Sequence, residues 1–371
     1  METDLERARA LVKSRDFDAA GRLYAEILAA DPRRAEAWLM QGVVAAESGR
    51  LDEARAHMAR AFEIEPRQAP GSHVVYANVL LDAGDLAAAR AQSQLALEAA
   101  SGWPPETLAR LRRQLAQAHW RHARSLHQAA RVFEAIDAYH GALALDDDDP
   151  DLWNELANAC ADAGVLDEAQ RGYRETLARK PGYHQVESNL LISLHYDPAF
   201  GPDAIYEAHR AWARRHADAL EPASPPPRRA RARAERLRVG FISPAFHRSA
   251  SGIFALPLLE NLDPDRFEIA CYRVAGGDDA ITGRIRRRSP IWHDLAGADD
   301  AAIAARIRAD ALDVLVDLAG HTPGGRLLVL ARKPAPVIAT WLDYFDTTGL
   351  EAVDYLIETT RRDPPSWLQL I

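Results

Sequence analysis

Small and apolar positions in the first half of the chain recur with one long period. The segments RDFDAA at 15–20, GRLDEA at 49–54, GDLAAA at 84–89, ARVFEA at 130–135 and GVLDEA at 164–169 each end on an alanine. Ala20 to Ala54 spans 34 residues, Ala54 to Ala89 spans 35, and Ala135 to Ala169 spans 34. Tyr24 keeps step with Met58, Tyr139 with Tyr173, Pro32 with Pro66 and Trp38 with Trp153. A period near 34, with small residues at a tight turn and proline at the end, predicts stacked helix-turn-helix repeats of the tetratricopeptide type. Alanine lets the paired helices approach closely, and the larger residue four positions on fills the next gap. Gly49, Gly84 and Gly164 suit a left-handed turn between the helices. The segment 100–115 breaks the phase, and a turn at SGWPPE followed by a longer helix is expected there. Residues 184–218 continue as helices without a clean repeat and are expected to cap the stack, so the superhelix is drawn over 1–218.

From about residue 237 the period changes. LRVGFIS (237–243), FEIACYRV (267–274), IWHDL (291–295), LDVLVDLA (312–319) and VIATWL (337–342) predict strands. The stretches 252–262, 278–288, 299–311 and 324–333 predict helices between them. Strands apolar on both faces, each followed by a helix, predict an α/β Rossmann-like lobe with a parallel sheet over 237–371. Residues 219–236 join the two regions, and six arginines lie between 228 and 238. They are read as a Pro/Arg-rich linker. A nucleic-acid patch there lacks interleaved aromatic residues.

Ligands of parallel α/β sheets meet the loops at the carboxyl ends of the strands. SPAFHRSASG after the first strand and GHTPGGR after the fourth are therefore the loops of interest. Neither a GxGxxG nor a GxxxxGK[ST] phosphate loop occurs. In the repeats, counting back from the turn alanines places Asn78 and Asn158 at one position, with Asn154 one helical turn earlier. A row of amides there would hydrogen-bond an extended acceptor peptide in the concave surface; solvated polar residues on an open face are the ordinary alternative.

Composition narrows the partners. Forty-five Lys+Arg against 54 Asp+Glu give a net charge of -9, which disfavours nucleic acid or an anionic membrane as the main partner. The two cysteines, Cys160 and Cys271, show no metal or redox spacing, and reduced thiols are expected. The amino-terminal segment is charged and amphipathic, and no run approaches membrane-spanning length; a soluble, cytoplasmic protein is expected.

LRVGFIS, RFEIACY, DVLVDLAGHT, ARKPAPVIATWLDYFDTTG and AVDYLI, in that order, resemble the amino-terminal catalytic lobe of the protein O-linked N-acetylglucosamine transferases, glycosyltransferase family 41. ESNLLISLHYDP resembles the junction of bacterial members. The resemblance runs to about residue 357. It implies transfer of N-acetylglucosamine from UDP-N-acetylglucosamine to serine or threonine hydroxyls of proteins, with the repeats guiding the acceptor and no other bound cofactor. It implies His321, His247 and Asp310 as catalytic candidates and Thr322 on the donor side, with no metal.

Three departures accompany the resemblance. Where the family commonly carries D-F-x-x-H, this chain has Ala245-Phe246-His247-Arg248-Ser249, so Ser249 stands at the histidine position. Where the family carries W-L-G-Y-P-G-T-T-G, this chain has Asp343, Phe345 and Asp346 in place of glycine, proline and glycine. The family's donor-binding second lobe is expected beyond these residues, and RRDPPSWLQLI does not resemble its start. The expectation that follows is a chain inactive alone, completed by a separate donor-binding lobe. The alternative is a non-catalytic peptide-binding scaffold carrying a relict half-enzyme. For His321 the ordinary alternative is a turn in which Thr322 caps a helix that starts at Pro323. Asp310 would ordinarily end a helix, and Asp343 with Asp346 would ordinarily be turn residues.

Overall fold

A computed structural model describes residues 2–220, 222, 226 and 235–357. Most of the expected linker and the whole of 358–371 lie outside the described residues. The chain divides into two compact units, residues 1–175 and 176–371.

The first unit is a run of antiparallel helical hairpins. They are α1 (Glu2–Lys13) with α2 (Phe17–Ala30), α3 (Ala35–Glu47) with α4 (Leu51–Ile64), and α5 (Pro70–Asp82) with α6 (Leu86–Ala99). α7 (Pro105–Gln128) pairs with α8 (Val132–Leu143), and α9 (Pro150–Asp162) with α10 (Leu166–Arg179). The phase break is the extra length of α7, whose 24 residues begin at the expected PPE turn. Ala20, Ala54, Ala89, Ala135 and Ala169 are all fully buried, and Tyr24, Met58, Ser93, Tyr139 and Tyr173 four residues later are buried with them. Any larger side chain at the alanines would push the paired helices apart. Gly49, Gly84 and Gly164 are left-handed, with φ of +75°, +79° and +74°. Arg15 and Ala130 hold the same conformation at the equivalent turns, with φ of +62° and +59°. The repeat therefore imposes the turn even where glycine is missing, at a cost of about 1 kcal/mol per turn. Trp38 and Trp153 each donate Nε1–H to a carbonyl six residues back, Pro32 O at 3.0 Å and Asp147 O at 2.8 Å. The acidic run at 146–149 forms the loop before α9, and the Asp149 carboxylate accepts from the Asp151 N–H.

The second unit is a three-layer α/β lobe. Its strands are β1 (Leu237–Ser243), β2 (Phe267–Arg273), β3 (Ile291–Asp294), β4 (Val314–Asp317), β5 (Ile338–Thr340) and β6 (Tyr355–Leu356). All pairings are parallel, in the order β3-β2-β1-β4-β5-β6. β6 lies in AVDYLI, which the alternation of apolar residues leaves without a strand. Val239, Phe241, Ile269, Cys271 and Val316 point to one face, where Ala255, Leu256 and Leu259 of α13 (Ala250–Asn261) and Ile285 of α14 (Ala280–Arg288) cover them. Ile242, Ala270, Tyr272 and Leu315 point to the other, beneath α15 (Asp300–Ala309) and α16 (Leu327–Ala331).

The same second face also receives α11 (His184–Leu194) and α12 (Pro202–His216). Leu191, Leu194, Ile205 and Trp212 share one hydrophobic core with Leu315 and Ile338 of the sheet. These helices, assigned from sequence to the end of the repeat stack, are thus built into the lobe. The reason is their apolar stripe, which finds a large hydrophobic sheet face to cover. The helix expected over 324–333 is confined to 327–331, because 321–326 are turns.

Candidate functional site

The strand order reverses between β1 and β4, so the crevice at the carboxyl end of the sheet is framed by 244–249 after β1 and 318–326 after β4. The turn after β5, 341–349, stands beside them.

In the first loop the Ser243 hydroxyl accepts from the Ala245 N–H at 2.9 Å, and the Thr282 hydroxyl donates to Phe246 O at 2.6 Å. His247 is half-buried, and its Nδ1 is buried without a hydrogen-bond partner. Gly276, at φ +84°, leaves room for this ring, since a Cβ there would press on His247 Nδ1. Ser249 caps α13, accepting from the Gly252 N–H at 3.1 Å and donating to Ala245 O at 2.9 Å. The serine at the family's histidine position therefore has a local structural task.

In the second loop Asp317 is buried, and its carboxylate accepts from the Gly320 N–H at 2.6 Å. Burial pushes its pKa up to about 6 against these backbone donors, and the neighbouring Asp343 raises it further. Gly320 is left-handed at φ +55°, and a Cβ there would overlap the Tyr344 ring. This is where the backbone needs glycine. Thr322 donates its hydroxyl to Ala319 O at 2.7 Å, closing the turn, and no helix starts at Pro323.

His321 lies deepest of the candidate residues. It is buried, and both ring nitrogens are engaged. Nε2 lies 3.0 Å from the carbonyl of Thr348, which can only accept, so Nε2 carries the proton. Nδ1 then accepts the Ser188 hydroxyl at 2.9 Å. Burial and the nearby His209 hold its pKa well below the ordinary value. A histidine engaged in this way positions loops; in this arrangement it has no nitrogen to offer a substrate. The turn-closing alternative describes its situation better, although the partners lie in remote segments.

Asp310 stands apart from the crevice loops. It ends α15 before β4, at the opposite end of the strand from His321. It accepts from Tyr272 Oη at 2.8 Å and pairs with Arg306. His293 Nε2 lies 2.9 Å away without hydrogen-bond geometry. Burial opposes its charge, but the hydrogen bonds from Arg306 and Tyr272 prevail and hold its pKa low. Its role in the described structure is structural.

The turn after β5 joins Asp343 and Asp346, which the sequence marks only as departures from the resembled family, to residues that it does not single out. The Ser251 hydroxyl, in the first turn of α13, donates to the Asp343 carboxylate, whose pKa burial raises. Asp346 lies 3.6 Å from His195 Nε2, and Tyr344 Oη donates to His209 Nε2 at 2.5 Å. The one available signal is compositional: three histidines over 184–209 sit in helices otherwise built for a core.

In the repeats Asn78 borders an open cavity of about 890 Å³ with Glu47, Asp82, Arg121, His122 and Ser125. Asn158 accepts from Tyr173 Oη at 3.0 Å, and Asn154 Oδ1 is buried without a partner. Counting back from the helix ends, Val43 of α3 and Arg124 of α7 occupy the position of Asn78 and Asn158, so the amide row is interrupted. No group of three or more His, Cys, Asp or Glu side chains among the described residues could hold a metal ion. No helix among them is long and apolar enough to cross a membrane.

A tetratricopeptide stack and a parallel lobe with its crevice at the β1/β4 reversal define a repeat-bearing α/β protein. Residues 210–368 match the sequence model of Glycosyl transferase family 41, and residues 5–73 match that of a tetratricopeptide repeat. The chain is 32% identical over 190 residues to the probable UDP-N-acetylglucosamine–peptide N-acetylglucosaminyltransferase SPINDLY of Solanum lycopersicum, covering 50% of this chain and 20% of that protein. It is 33% identical over 193 residues to the SPINDLY of Arabidopsis thaliana, covering 51% and 21%. The solved structure of a mutant of Thermobaculum terrenum O-GlcNAc transferase aligns with 80% of this chain and 54% of its own, at a TM-score of 0.62 and 29% identity. The chain thus spans about a fifth of the length of these curated relatives. It resembles the protein O-GlcNAc transferases in both its repeats and its lobe.

Proposed function

We propose that this chain serves protein O-GlcNAc transfer, from UDP-N-acetylglucosamine to serine or threonine hydroxyls. The observation that carries the reading is the union of repeats and lobe in one chain, similar along 80% of its length to a solved O-GlcNAc transferase. On this reading the repeats hold acceptor polypeptide, with Asn78, Asn154 and Asn158 hydrogen-bonding its backbone. The lobe forms one wall of the reaction crevice, and a further donor-binding lobe faces it. No cofactor beyond the donor is required, and the cytoplasm is the expected compartment.

Of the residues in the crevice, His247 suits proton transfer best, since it is only half-buried and, unlike His321, does not have both ring nitrogens engaged. Thr322 would turn its backbone toward the donor while its hydroxyl closes the loop. His321 and Asp310 act as positioning and structural residues. The scaffold reading draws support from one observation, the Asp343 side chain in the turn where the resembled family carries glycine; bonded to Ser251, it fills space that a glycine would leave open.

The test is incubation of the purified protein with labelled UDP-N-acetylglucosamine and candidate acceptor proteins. The expected result is no label from this chain alone and, once a donor-binding lobe of the resembled family is supplied, label on serine or threonine that excess UDP suppresses and that falls about a hundredfold or more in His247→Ala, the loss typical of a proton-transfer group. Peptide binding by the repeats with no nucleotide affinity and no transfer would establish the scaffold instead.

A further inference from the structure

Behind the crevice, one run of hydrogen bonds ties both of its inner loops to α11 and α12. His209 Nδ1 donates to Ile205 O at 2.7 Å, which leaves Nε2 as an acceptor, and Tyr344 Oη donates to it at 2.5 Å. Tyr344 has then spent its proton, so at 3.2 Å from His195 Nε2 it accepts. The order is His195 N–H to Tyr344 O–H to His209, with one direction throughout. His321 continues the cluster at a ring distance of 5.0 Å from His209, while His195 stands 5.6 Å from His209 on its other side. The neutral forms of His209 and His321 are those the geometry uses, because each needs one lone pair for a hydroxyl.

We propose that this His195–Tyr344–His209–His321 cluster is an acid-released latch, which in its neutral form clamps loops 318–326 and 341–349 to α11 and α12. The inference does not depend on the transferase reading.

Charging the rings removes the acceptors that Tyr344 and Ser188 use and places cations about 5 Å apart in a buried space. Burial lowers the pKa of all three histidines, to about 4 for His209. The surrounding charges compensate little. Asp346 faces His195 from the turn after β5. From α11, Glu187 is occupied by Arg215 and His216 of α12. Arg210 of α12 is paired with Glu351 and Asp218 and donates to Gly349 O. Asp317 and Asp343 on the two loops are themselves held toward the neutral form by burial. The loops lie outside the strand ladder. Thr348 O and Gly349 O are the backbone atoms that the latch and Arg210 hold, whereas β4 and β5 are pinned by the sheet.

Amide hydrogen exchange of the full chain between pH 7.5 and 4.5, corrected for intrinsic exchange chemistry, tests this. Opening of 320–326 and 341–349 should grow at least tenfold below about pH 5, while the amides of β1 and β4 keep their protection. His209→Gln combined with His321→Gln, which cannot take up a proton, should abolish that acid response. Tyr344→Phe keeps the ring against Gly320 and removes the shared hydroxyl; loop exchange at pH 7.5 should rise about five- to tenfold, the worth of about one hydrogen bond. Loop exchange independent of pH, an acid response retained in the double variant, unchanged loops in Tyr344→Phe, or simultaneous loss of β1 and β4 protection would each overturn the latch. If the double variant does not fold, the Tyr344→Phe result decides alone.

Discussion

The two units bury polar side chains in opposite ways. In the repeats the buried side chains that do find partners find them within a repeat or the next one. His119, for example, lies 3.1 Å from the hydroxyl of Ser93, which itself donates back to Ala89 O. In the lobe some partners come from segments more than a hundred residues apart, as with Ser188 and His321 or His209 and Tyr344. The repeats are a sum of local contacts, and a change in one should be felt mainly by its neighbours. The lobe's crevice depends on a shared cluster, so a single change there should be felt in several loops at once.

Adding one methyl group to a left-handed glycine in each unit tests this contrast most severely. Gly320→Ala meets Tyr344 as well as an unfavourable backbone conformation, and is expected to cost the lobe about 4 kcal/mol. Gly84→Ala, at φ +79° with open space around it, should cost the repeats about 1 kcal/mol. Hydrogen exchange read separately in the two units measures both. Equal costs would erase the distinction.

Acid sharpens the contrast by a smaller margin. His209 in the lobe and His119 in the repeats are both held at about 4 by burial, below the ordinary histidine value. Each therefore contributes stability that is complete above about pH 6.5 and lost as pH falls toward 4, about 3 kcal/mol at most. Asp317, raised to about 6, has the opposite sign: its cost to the folded lobe fades as pH falls below that value. Against this one carboxylate stand His209, His195 and His321, all lowered by burial. The stability of the lobe should thus fall more steeply with pH between 6 and 4.5 than that of the repeats, reflecting more protons taken up on unfolding. His209→Gln should flatten the lobe's profile alone and His119→Gln that of the repeats alone. Parallel profiles for both units would count against a cluster.

The smallest effect concerns peptide binding. Because Val43 and Arg124 interrupt the amide row, Asn78→Ala, Asn154→Ala and Asn158→Ala together should weaken several unrelated extended peptides only about fivefold, about 1 kcal/mol. Titration calorimetry would detect it. Loss confined to one peptide would mean that side chains, not backbone, are being read.

How far the sequence could be read follows from the same division. The five turn alanines and the residues four positions later are all buried as their spacing predicts, because hairpin packing is set by residues in one repeat. β1 is found over the expected 237–243, since a strand apolar on both faces is its own signal. The fate of 184–216 could not be read the same way. An apolar helical stripe reports that something must cover it, without saying whether that is another repeat or a sheet. His247 and Ser249 fall where their loop predicts, but the unpartnered Nδ1 of His247 depends on Gly276 leaving space beside it.

By itself, then, the sequence determined the repeat stack, the parallel lobe and the two loops at the sheet's carboxyl end, because periodicity and strand–helix alternation express local backbone geometry. Only the tertiary structure decided what His321 does. Its two partners lie 133 and 27 residues away, and it is they that occupy both ring nitrogens. A side chain's chemistry depends on which lone pairs and protons remain unspent, and that is settled by contacts across the fold.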